Sequence, residues 1–178
     1  MSILLTKDGG NSWNKIACEN LPLAVEGEAA FAASNTNISL VDQKAFISTG
    51  GKEANILLVS EYGKIWKKYK TPITQGEKMT GIFSIDNLSM DTAIIAGGNW
   101  SSKENTVKAM AITINGGINW QLKENNPGYI SCVKFIPKTN SLVACSSNGI
   151  YYSQDLAENW KKVIEEGYYS LRISENGG

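Results

Sequence analysis

The chain contains no histidine and only one arginine, Arg172, among its 178 residues. Histidine is the commonest general base and a frequent metal ligand at neutral pH, so its absence removes every Ser–His and Cys–His nucleophile arrangement from this sequence. A single guanidinium also cannot form a cluster of arginines around a carboxylate ligand. We therefore expect no catalytic residue within this chain.

The chain also has no net charge, few cysteines and no long apolar run. The 17 basic and 17 acidic side chains cancel, and no basic stripe with interleaved aromatics indicates nucleic-acid binding. The three cysteines show no C-x-x-C pair and no metal-ligand spacing, so we expect neither a metal nor another cofactor. No apolar run is long enough for a membrane span, and residues 1–5 lead directly into a predicted strand instead of forming a signal peptide.

Two of the cysteines, Cys132 and Cys145, fall on adjacent predicted strands of one hairpin. They could therefore lie close together. Nothing in the sequence requires a bridge between them, and reduced core thiols are the commoner outcome for neighbouring strands.

A short motif occurs four times, with the frame Ser/Thr-x-Asp/Asn-x-Gly-x-x-Trp, and we call each copy a box. The boxes run over residues 6–13, 60–66, 113–120 and 153–160. Their defining positions are Thr6, Asp8, Gly10 and Trp13 in box 1, Ser60, Gly63 and Trp66 in box 2, Thr113, Asn115, Gly117 and Trp120 in box 3, and Ser153, Asp155 and Trp160 in box 4. Box 2 is one residue shorter and lacks the Asp, and box 4 has Ala157 in place of the glycine.

The chemistry of a box is that of a tight turn between two strands. Asp or Asn accepts hydrogen bonds from nearby backbone N–H groups, and Gly supplies a positive φ without a steric penalty. The Trp buries a large ring, and its N–H can reach a carbonyl. A calcium site is the alternative, but each box offers at most one Asp, so we interpret the boxes as structural.

The spacing of the boxes predicts the architecture. Their tryptophans are 53, 54 and 40 residues apart, which fits the roughly 40–50 residues of a four-stranded propeller blade. The intervening segments are rich in β-branched and aromatic residues punctuated by Gly, Asn, Asp and Pro, and none shows sustained helical periodicity. We predict an all-β propeller of four-stranded antiparallel blades. The blades cover residues 29–70, 79–124 and 129–165, with partial blades at 1–20 and at 167–178, where 167–174 form a first strand.

Propellers close with about 4–8 blades, so this count is short. The chain is then either a piece of a longer propeller or a half that closes by self-association with a second copy. We favour a piece of a longer protein.

The boxes resemble the bacterial neuraminidase repeat, or Asp box, of sialidases. The segments 26–37, 46–51, 79–85, 96–100 and 126–133 resemble bacterial secreted propellers described as photosystem II stability/assembly factor-like. This resemblance implies a ring of about seven blades and an exported location. Some relatives are labelled "oxidoreductase", but the resemblance supplies no catalytic set. A single arginine makes sialidase activity unexpected here.

The face opposite the boxes is the expected binding face, because rigid blades present loops there. The candidate ligand-binding residues are Glu26, Glu28, Gln75, Trp100 and Tyr129. Trp100 lies outside every box and either contacts a partner or folds over the blade core. Glu26 and Glu28 are either an acid–base pair or parts of a solvated linker, which is the interpretation we favour.

Two functions follow from these expectations. The first is a non-catalytic scaffold that binds a protein or carbohydrate partner. The alternative is a glycan-active enzyme, or the oxidoreductase of the family labels, with catalytic residues partly on further blades. Two carboxylates in one pocket would favour the enzyme.

Overall fold

The segments rich in β-branched and aromatic residues form short strands that pair with their neighbours along the chain. The computed structural model describes residues 2–31 and 34–174. Met1, Ala32, Ala33 and residues 175–178, which the predicted segments include, lie outside the described residues. None of the helical turns in the described ranges is long or apolar enough to cross a membrane.

Sixteen strands are assigned within these ranges. They are β1 (Leu4–Leu5), β2 (Asn14–Lys15), β3 (Glu28–Ala29), β4 (Ile38–Val41), β5 (Lys44–Ser48), β6 (Gly50–Gly51), β7 (Asn55–Ser60), β8 (Ile65–Lys70), β9 (Thr80–Asn87), β10 (Ala93–Asn99), β11 (Met110–Thr113), β12 (Gln121–Leu122), β13 (Cys132–Phe135), β14 (Leu142–Ser146), β15 (Gly149–Ser153) and β16 (Lys161–Ile164). Short 3-10 turns cover Cys18–Asn20 and Glu61–Gly63.

The strands form three four-stranded antiparallel blades and one two-stranded piece. Blade 1 has the order β4-β5-β7-β8, blade 2 the order β9-β10-β11-β12, and blade 3 the order β13-β14-β15-β16. Strands β1 and β2 pair with each other alone. The prediction of an all-β propeller with antiparallel four-stranded blades is confirmed.

Blades 1 and 2 are joined at their inner edges through glycines. The short strands β3 and β6 continue the sheet of blade 2, and Gly50 of β6 pairs with Gly81 of β9. A Cβ on Gly81 would lie 2.3 Å from the Gly50 Cα, and a Cβ on Gly50 would lie 2.7 Å from the Thr80 carbonyl oxygen. Because only glycine permits this approach, these positions fix how closely the two blades meet.

The apolar core lies between successive blades. Phe46 and Ile56 of blade 1 pack with Ile82 and Ile95 of blade 2. A second cluster joins blades 2 and 3 around Ile94, Met110, Val133 and Leu142. A third cluster lies within blade 1 around Ile47, Leu57 and Val59. Trp120, Trp160 and Trp66 pack against the first, second and third cluster respectively, whereas Trp13 of box 1 is exposed. Boxes 2–4 therefore each supply a tryptophan to the core as well as a turn.

The segment 167–174 is not a strand, so this part of the prediction was wrong. Its Tyr168 N–H donates to the Ser146 carbonyl (2.8 Å), and its Leu171 carbonyl accepts from the Cys132 thiol (3.7 Å). The segment thus runs beside the inner end of blade 3 through single contacts and does not form a ladder. Alternating aromatic and polar residues indicate a strand, but regular pairing with a neighbour is what makes one.

Candidate functional site

The box turns are closed by bonds within each box. In box 1, the Asp8 carboxylate accepts from the Ser12 N–H (2.9 Å), the Ser12 hydroxyl (2.5 Å) and the Thr6 hydroxyl (2.8 Å). The Trp13 indole N–H donates to the Gly10 carbonyl at 3.1 Å. The hydrogen bonds from Ser12, followed by that from Thr6, lower the pKa of Asp8 to about 2. The carboxylate oxygens are therefore already used in holding the turn.

Box 3 repeats this geometry with an amide in place of the carboxylate. Asn115 Oδ1 accepts from the Thr113 hydroxyl and the Asn119 N–H, both at 3.0 Å. The Trp120 indole N–H donates to the Gly117 carbonyl at 3.0 Å. A neutral residue thus closes the turn with corresponding bonds, so the turn requires a side-chain oxygen acceptor at this position and not a negative charge.

Box 4 keeps the carboxylate but loses the tryptophan bond. Asp155 accepts from the Asn159 side chain and backbone, both at 2.9 Å, and these bonds lower its pKa to about 2. Ala157 replaces the glycine at a φ of 66°. The buried Trp160 indole N–H finds no hydrogen-bond partner among the described residues. Among the described box tryptophans, only Trp160 has an unpaired indole N–H, and its box is the one in which alanine replaces the glycine.

The predicted binding face lies at the other end of the strands. Thr113 of box 3 pairs with Ala93 at the start of β10, whereas Asn99 ends the same strand and Trp100 follows it. Trp100 and box 3 therefore lie at opposite ends of blade 2. Tyr129, in the link between blades 2 and 3, is held near Trp100's loop by its N–H bond to the Lys103 carbonyl (2.9 Å).

An aromatic pocket of about 360 Å³ opens on this face. It is lined by five aromatic side chains and one methionine, namely Phe31, Phe83, Trp100, Tyr129, Tyr169 and Met79. Phe31 and Phe83 stack with ring centroids 4.1 Å apart, and Phe83 meets the Tyr129 ring edge-on at 5.0 Å. Aromatic pairs prefer these two arrangements, so the inner wall is a packed and ordered surface.

The polar groups in the aromatic pocket are few, and its two serine hydroxyls are already bonded. The hydroxyl of Ser34 donates to the Phe31 carbonyl (2.8 Å), and that of Ser131 donates to the Cys145 carbonyl (3.0 Å). No described residue hydrogen-bonds the Tyr129 hydroxyl. Burial raises the pKa of Tyr129, with smaller contributions from Tyr169 and Cys145, so this hydroxyl stays protonated. Neither a carboxylate nor a cationic side chain is among the described residues that line the pocket.

The outer rim of the aromatic pocket contains Met79 and Trp100. Their exposed fractions are 39% and 41%. Met79 has a φ of 61°, a left-handed conformation that is unusual for a long side chain, and its carbonyl accepts from the Trp100 N–H at 3.0 Å. The Lys103 ammonium lies 5.1 Å from the centre of the Trp100 ring. The backbone bond between Met79 and Trp100 therefore holds the two rim residues side by side.

Glu28 is not the solvated linker residue that the sequence indicates. Its carboxylate is buried and accepts from the Thr49 hydroxyl (2.8 Å), the Asn55 amide (2.9 Å) and the Lys68 ammonium (2.8 Å). Burial alone would raise the pKa of Glu28, but the hydrogen bonds from Lys68, Asn55 and Thr49 outweigh it and hold that pKa below its ordinary value. Glu28 thus ties the link before blade 1 to two strands of that blade.

The other predicted residues separate into two groups. Trp100 and Tyr129 meet in the aromatic pocket, as described above. Gln75 instead closes a loop, because its side-chain oxygen accepts from the Ala54 N–H (2.9 Å) and its amide donates to the Thr71 and Ile73 carbonyls. Glu26 is exposed. The five candidates therefore do not share one site.

Sequence reasoning missed Phe31, Phe83 and Met79 as pocket residues. Phe83 lies in the middle of an apolar strand and shows the pattern of an ordinary core residue. Phe31 reaches it because β6 pairs with β9, a contact between blades that no local pattern reports. The only signal available was the position of Phe31 and Met79 at the starts of the predicted blades 29–70 and 79–124, next to the links on the predicted face.

Next to Ser131 in the chain, two thiols lie side by side on neighbouring strands of blade 3. Cys132 and Cys145 occupy paired positions on β13 and β14, and both are buried and unbridged. The hydrogen bond between them lowers the pKa of Cys132 to about 6 and, on the donor side, raises the pKa of Cys145. Within residues 2–31 and 34–174, no three His, Cys, Asp or Glu side chains gather as metal ligands would.

Comparison with known proteins supports the fold alone. No family model matches the chain, and no curated protein matches it. Among solved structures, it is similar to the GH74 enzyme of Niastella koreensis, a β-propeller glycoside hydrolase, with a TM-score of 0.62 and 15% identity. The match covers 85% of this chain and 25% of that enzyme, so the chain spans about a quarter of the enzyme's length.

Proposed function

We propose that this chain belongs to a non-catalytic scaffold that binds its partner on the face opposite the boxes. The observation that supports this proposal is the aromatic pocket defined above, which is built from rings and hydroxyls and is lined by no carboxylate in the described ranges. Glycoside hydrolysis needs two carboxyl groups about 5–9.5 Å apart across the bond that is cleaved. Glu28, the one glutamate that is buried among the described residues, is instead paired with Lys68.

The aromatic pocket is suited to binding because it keeps exposed apolar surface in a fixed shape. Burying one apolar side chain in such a site is worth about 1.5–3 kcal/mol, and a ring pair adds about 0.5–1.5 kcal/mol. The inner wall of Phe31, Phe83 and Tyr129 is already packed, so little side-chain freedom is lost on binding. Preorganisation of this kind favours affinity.

The resemblance to photosystem II stability/assembly factor-like propellers agrees with a binding role. We include in the proposal its two further implications, an exported parent protein and a ring of about seven blades. The full reading frame and the cellular fraction that contains the protein test both. A cytoplasmic protein whose intact mass matches this chain would contradict them.

Two unbiased ligand panels test the proposed binding face. The chain would be screened against an array of soluble glycans and against random peptides displayed on phage, alongside two single variants. Trp100→Ala removes the rim of the aromatic pocket. Trp13→Ala is the matched control, since Trp13 is a similarly exposed tryptophan in box 1. Circular dichroism would verify that both variants are folded.

We expect at least one ligand to bind the wild type and Trp13→Ala alike but Trp100→Ala about tenfold or more weakly, as for other interface hot spots. Ligands that bind all three proteins equally would contradict the proposed face. Release of new reducing ends from a bound glycan would contradict a non-catalytic role.

A further inference from the structure

We infer that the aromatic pocket takes one uncharged aromatic ring, and that this ring is a tyrosine side chain exposed on a partner protein. This inference rests on the proposed function, because it assumes that the face opposite the boxes is the binding face. It goes further by naming the chemical group that enters. Four features of the pocket support it, namely its ring geometry, its hydroxyl content, its uncharged lining and the methionine at its rim.

The walls are arranged to receive another ring. Phe31 and Phe83 form a stacked pair with an angle of 8° between their planes, and Tyr129 stands at 84° to Phe83. The more exposed Trp100 and Tyr169 stand on the outer side, so the pocket of about 360 Å³ between them is bounded by ring faces and edges. That volume is within the usual range for the pocket of a small ligand. A guest ring can adopt offset or edge-on contacts with several of these walls.

The hydroxyl content favours a phenol over a sugar. A pyranose carries several hydroxyls, and each one buried without a partner costs about 1–3 kcal/mol. Two lining hydroxyls, those of Tyr129 and Tyr169, have no hydrogen-bond partner in the described ranges, whereas Ser34 and Ser131 already donate to carbonyls. Two partners are too few for the several hydroxyls of a pyranose. A phenol has one hydroxyl and needs one partner. Tyr129 and a guest tyrosine can therefore satisfy each other.

The uncharged lining of the described residues disfavours ionic guests inside the pocket. A carboxylate or phosphate entering the aromatic pocket would lose water and meet no cation among the lining residues. An ammonium group would be drawn to the ring faces, but Lys103 already lies 5.1 Å above Trp100, and no carboxylate lines the pocket to offset the charge of a second cation. A neutral ring avoids both costs.

The rim adds a soft apolar side chain to the aromatic walls. Met79 contributes a polarizable thioether next to Trp100. Sulfur–aromatic contacts are favourable at the ring edge, so Met79 can close over a bound ring.

Free small molecules test the chemistry of the pocket first. The probe is 4-methylphenol, the side chain of tyrosine, titrated into the chain by calorimetry. Three comparison probes are titrated in the same way. 4-Methylcyclohexanol keeps the hydroxyl but is not aromatic, 4-methylbenzoate is aromatic but charged, and methyl β-glucopyranoside is a sugar. We expect 4-methylphenol to bind about tenfold or more tightly than any of the three, because only it satisfies the ring walls, the neutrality and Tyr129 together.

Variants then locate the binding. Trp100→Ala is expected to weaken 4-methylphenol about tenfold, and Tyr129→Phe about threefold to tenfold, because the second change removes one hydrogen bond and keeps the ring. Tyr62→Ala is the matched control, since Tyr62 is an exposed aromatic residue in box 2, at the opposite end of the blades. Unchanged affinity in Trp100→Ala and Tyr129→Phe would overturn the inference.

Displayed peptides test the source of the ring. Peptides selected by the wild type and lost by Trp100→Ala should contain a tyrosine whose replacement by serine abolishes binding. If methyl β-glucopyranoside binds and 4-methylphenol does not, the inference fails, while the scaffold proposal survives with a carbohydrate partner. If 4-methylphenol binds but the selected peptides do not depend on a tyrosine, a protein source for the ring is contradicted.

Discussion

The two faces of the blades are stabilised in different ways. In a box, a polar side chain bonds to residues two to four positions away, as Asp8 does with Thr6 and Ser12. On the opposite face, local bonds such as those of Gln75 are joined by a bond between distant residues, that of Glu28 with Lys68, 40 positions along the chain. The side-chain bonds of the turn recur in boxes 1, 3 and 4, whereas the Glu28 contact has no counterpart among the boxes. The repeated face therefore supports the fold, and the unrepeated face is where a specific site can form.

The distant bonds on the pocket face should be the more costly to remove. Glu28→Gln keeps the shape but removes the charge from a buried pair with Lys68, so we expect it to lower the free energy of unfolding by about 2–4 kcal/mol. Denaturant unfolding of wild type and variant measures this. Glu26→Gln is the control two residues away, and it should leave the midpoint unchanged. Equal midpoints for all three proteins would contradict the distinction between the two faces.

The same variant has a predictable pH dependence. Because the pKa of Glu28 in the folded state lies below its ordinary value of 4.5, the ionised form contributes stability above that pH. This contribution is lost as the pH falls through the folded-state pKa. The difference between wild type and Glu28→Gln should therefore be constant near neutral pH and shrink below about pH 4.5. If the stability difference between wild type and Glu28→Gln grew on acidification, the pKa of Glu28 would instead be raised in the folded state.

Exchange of glycine and alanine between boxes 3 and 4 tests the local turns. Gly117 has a φ of 85° and Ala157 a φ of 66°, a region in which a Cβ costs about 1–2 kcal/mol. Gly117→Ala should therefore destabilise by about 1 kcal/mol, and Ala157→Gly should stabilise by about 0.5–1 kcal/mol. Thermal unfolding of the two variants measures both effects. A stabilising Gly117→Ala would show that the turn does not need glycine.

The box carboxylates should titrate at unusually low pH. Hydrogen bonds from Ser12 and Asn159 lower the pKa values of Asp8 and Asp155 to about 2. Carboxyl carbon chemical shifts followed through an acid titration should show both midpoints there. Depressed pKa values stabilise the folded turn above the ordinary value of 3.8 and lose that effect towards pH 2. Midpoints near 4 would mean that the turns are open in solution.

The smallest expected effect concerns the three thiols, which should differ in their accessibility to a reagent. Cys18 is exposed, whereas Cys132 and Cys145 are buried in blade 3. Under native conditions iodoacetamide should modify Cys18 alone, and all three should react after unfolding, because reaction requires access as well as a thiolate. Mass spectrometry of the digested protein counts the modified sites. Fast native labelling of Cys132 would show that the inner edge of blade 3 opens.

Sequence reasoning succeeded where the structure is local. The spacing of the boxes and the β-branched segments were enough to predict antiparallel four-stranded blades, since turn chemistry and strand preference act over a few residues. The positions of Trp100 and Tyr129 at the ends of strands also placed both on the face opposite the boxes.

It failed where the structure depends on contacts between distant residues. Glu28 stands beside Glu26 and Gly27 in a segment that looks solvated, and its partners come from blade 1. The segment 167–174 has the composition of a strand but no regular pairing. The stacking of Phe31 on Phe83 depends on Gly50 and Gly81, which have no distinctive local pattern.

One measurement tests the central claim, that the aromatic pocket is the site of recognition. The methionine methyl groups report on separate regions: Met79 lines the pocket, Met110 is buried between blades 2 and 3, and the Met90 carbonyl lies beside Gly116 of box 3. A protein labelled with ¹³C at these methyl groups would be titrated with 4-methylphenol and followed by NMR. We predict a saturable shift of Met79 with Met90 and Met110 unmoved. A shift of Met90 alone, or no saturable shift at Met79, would contradict the account.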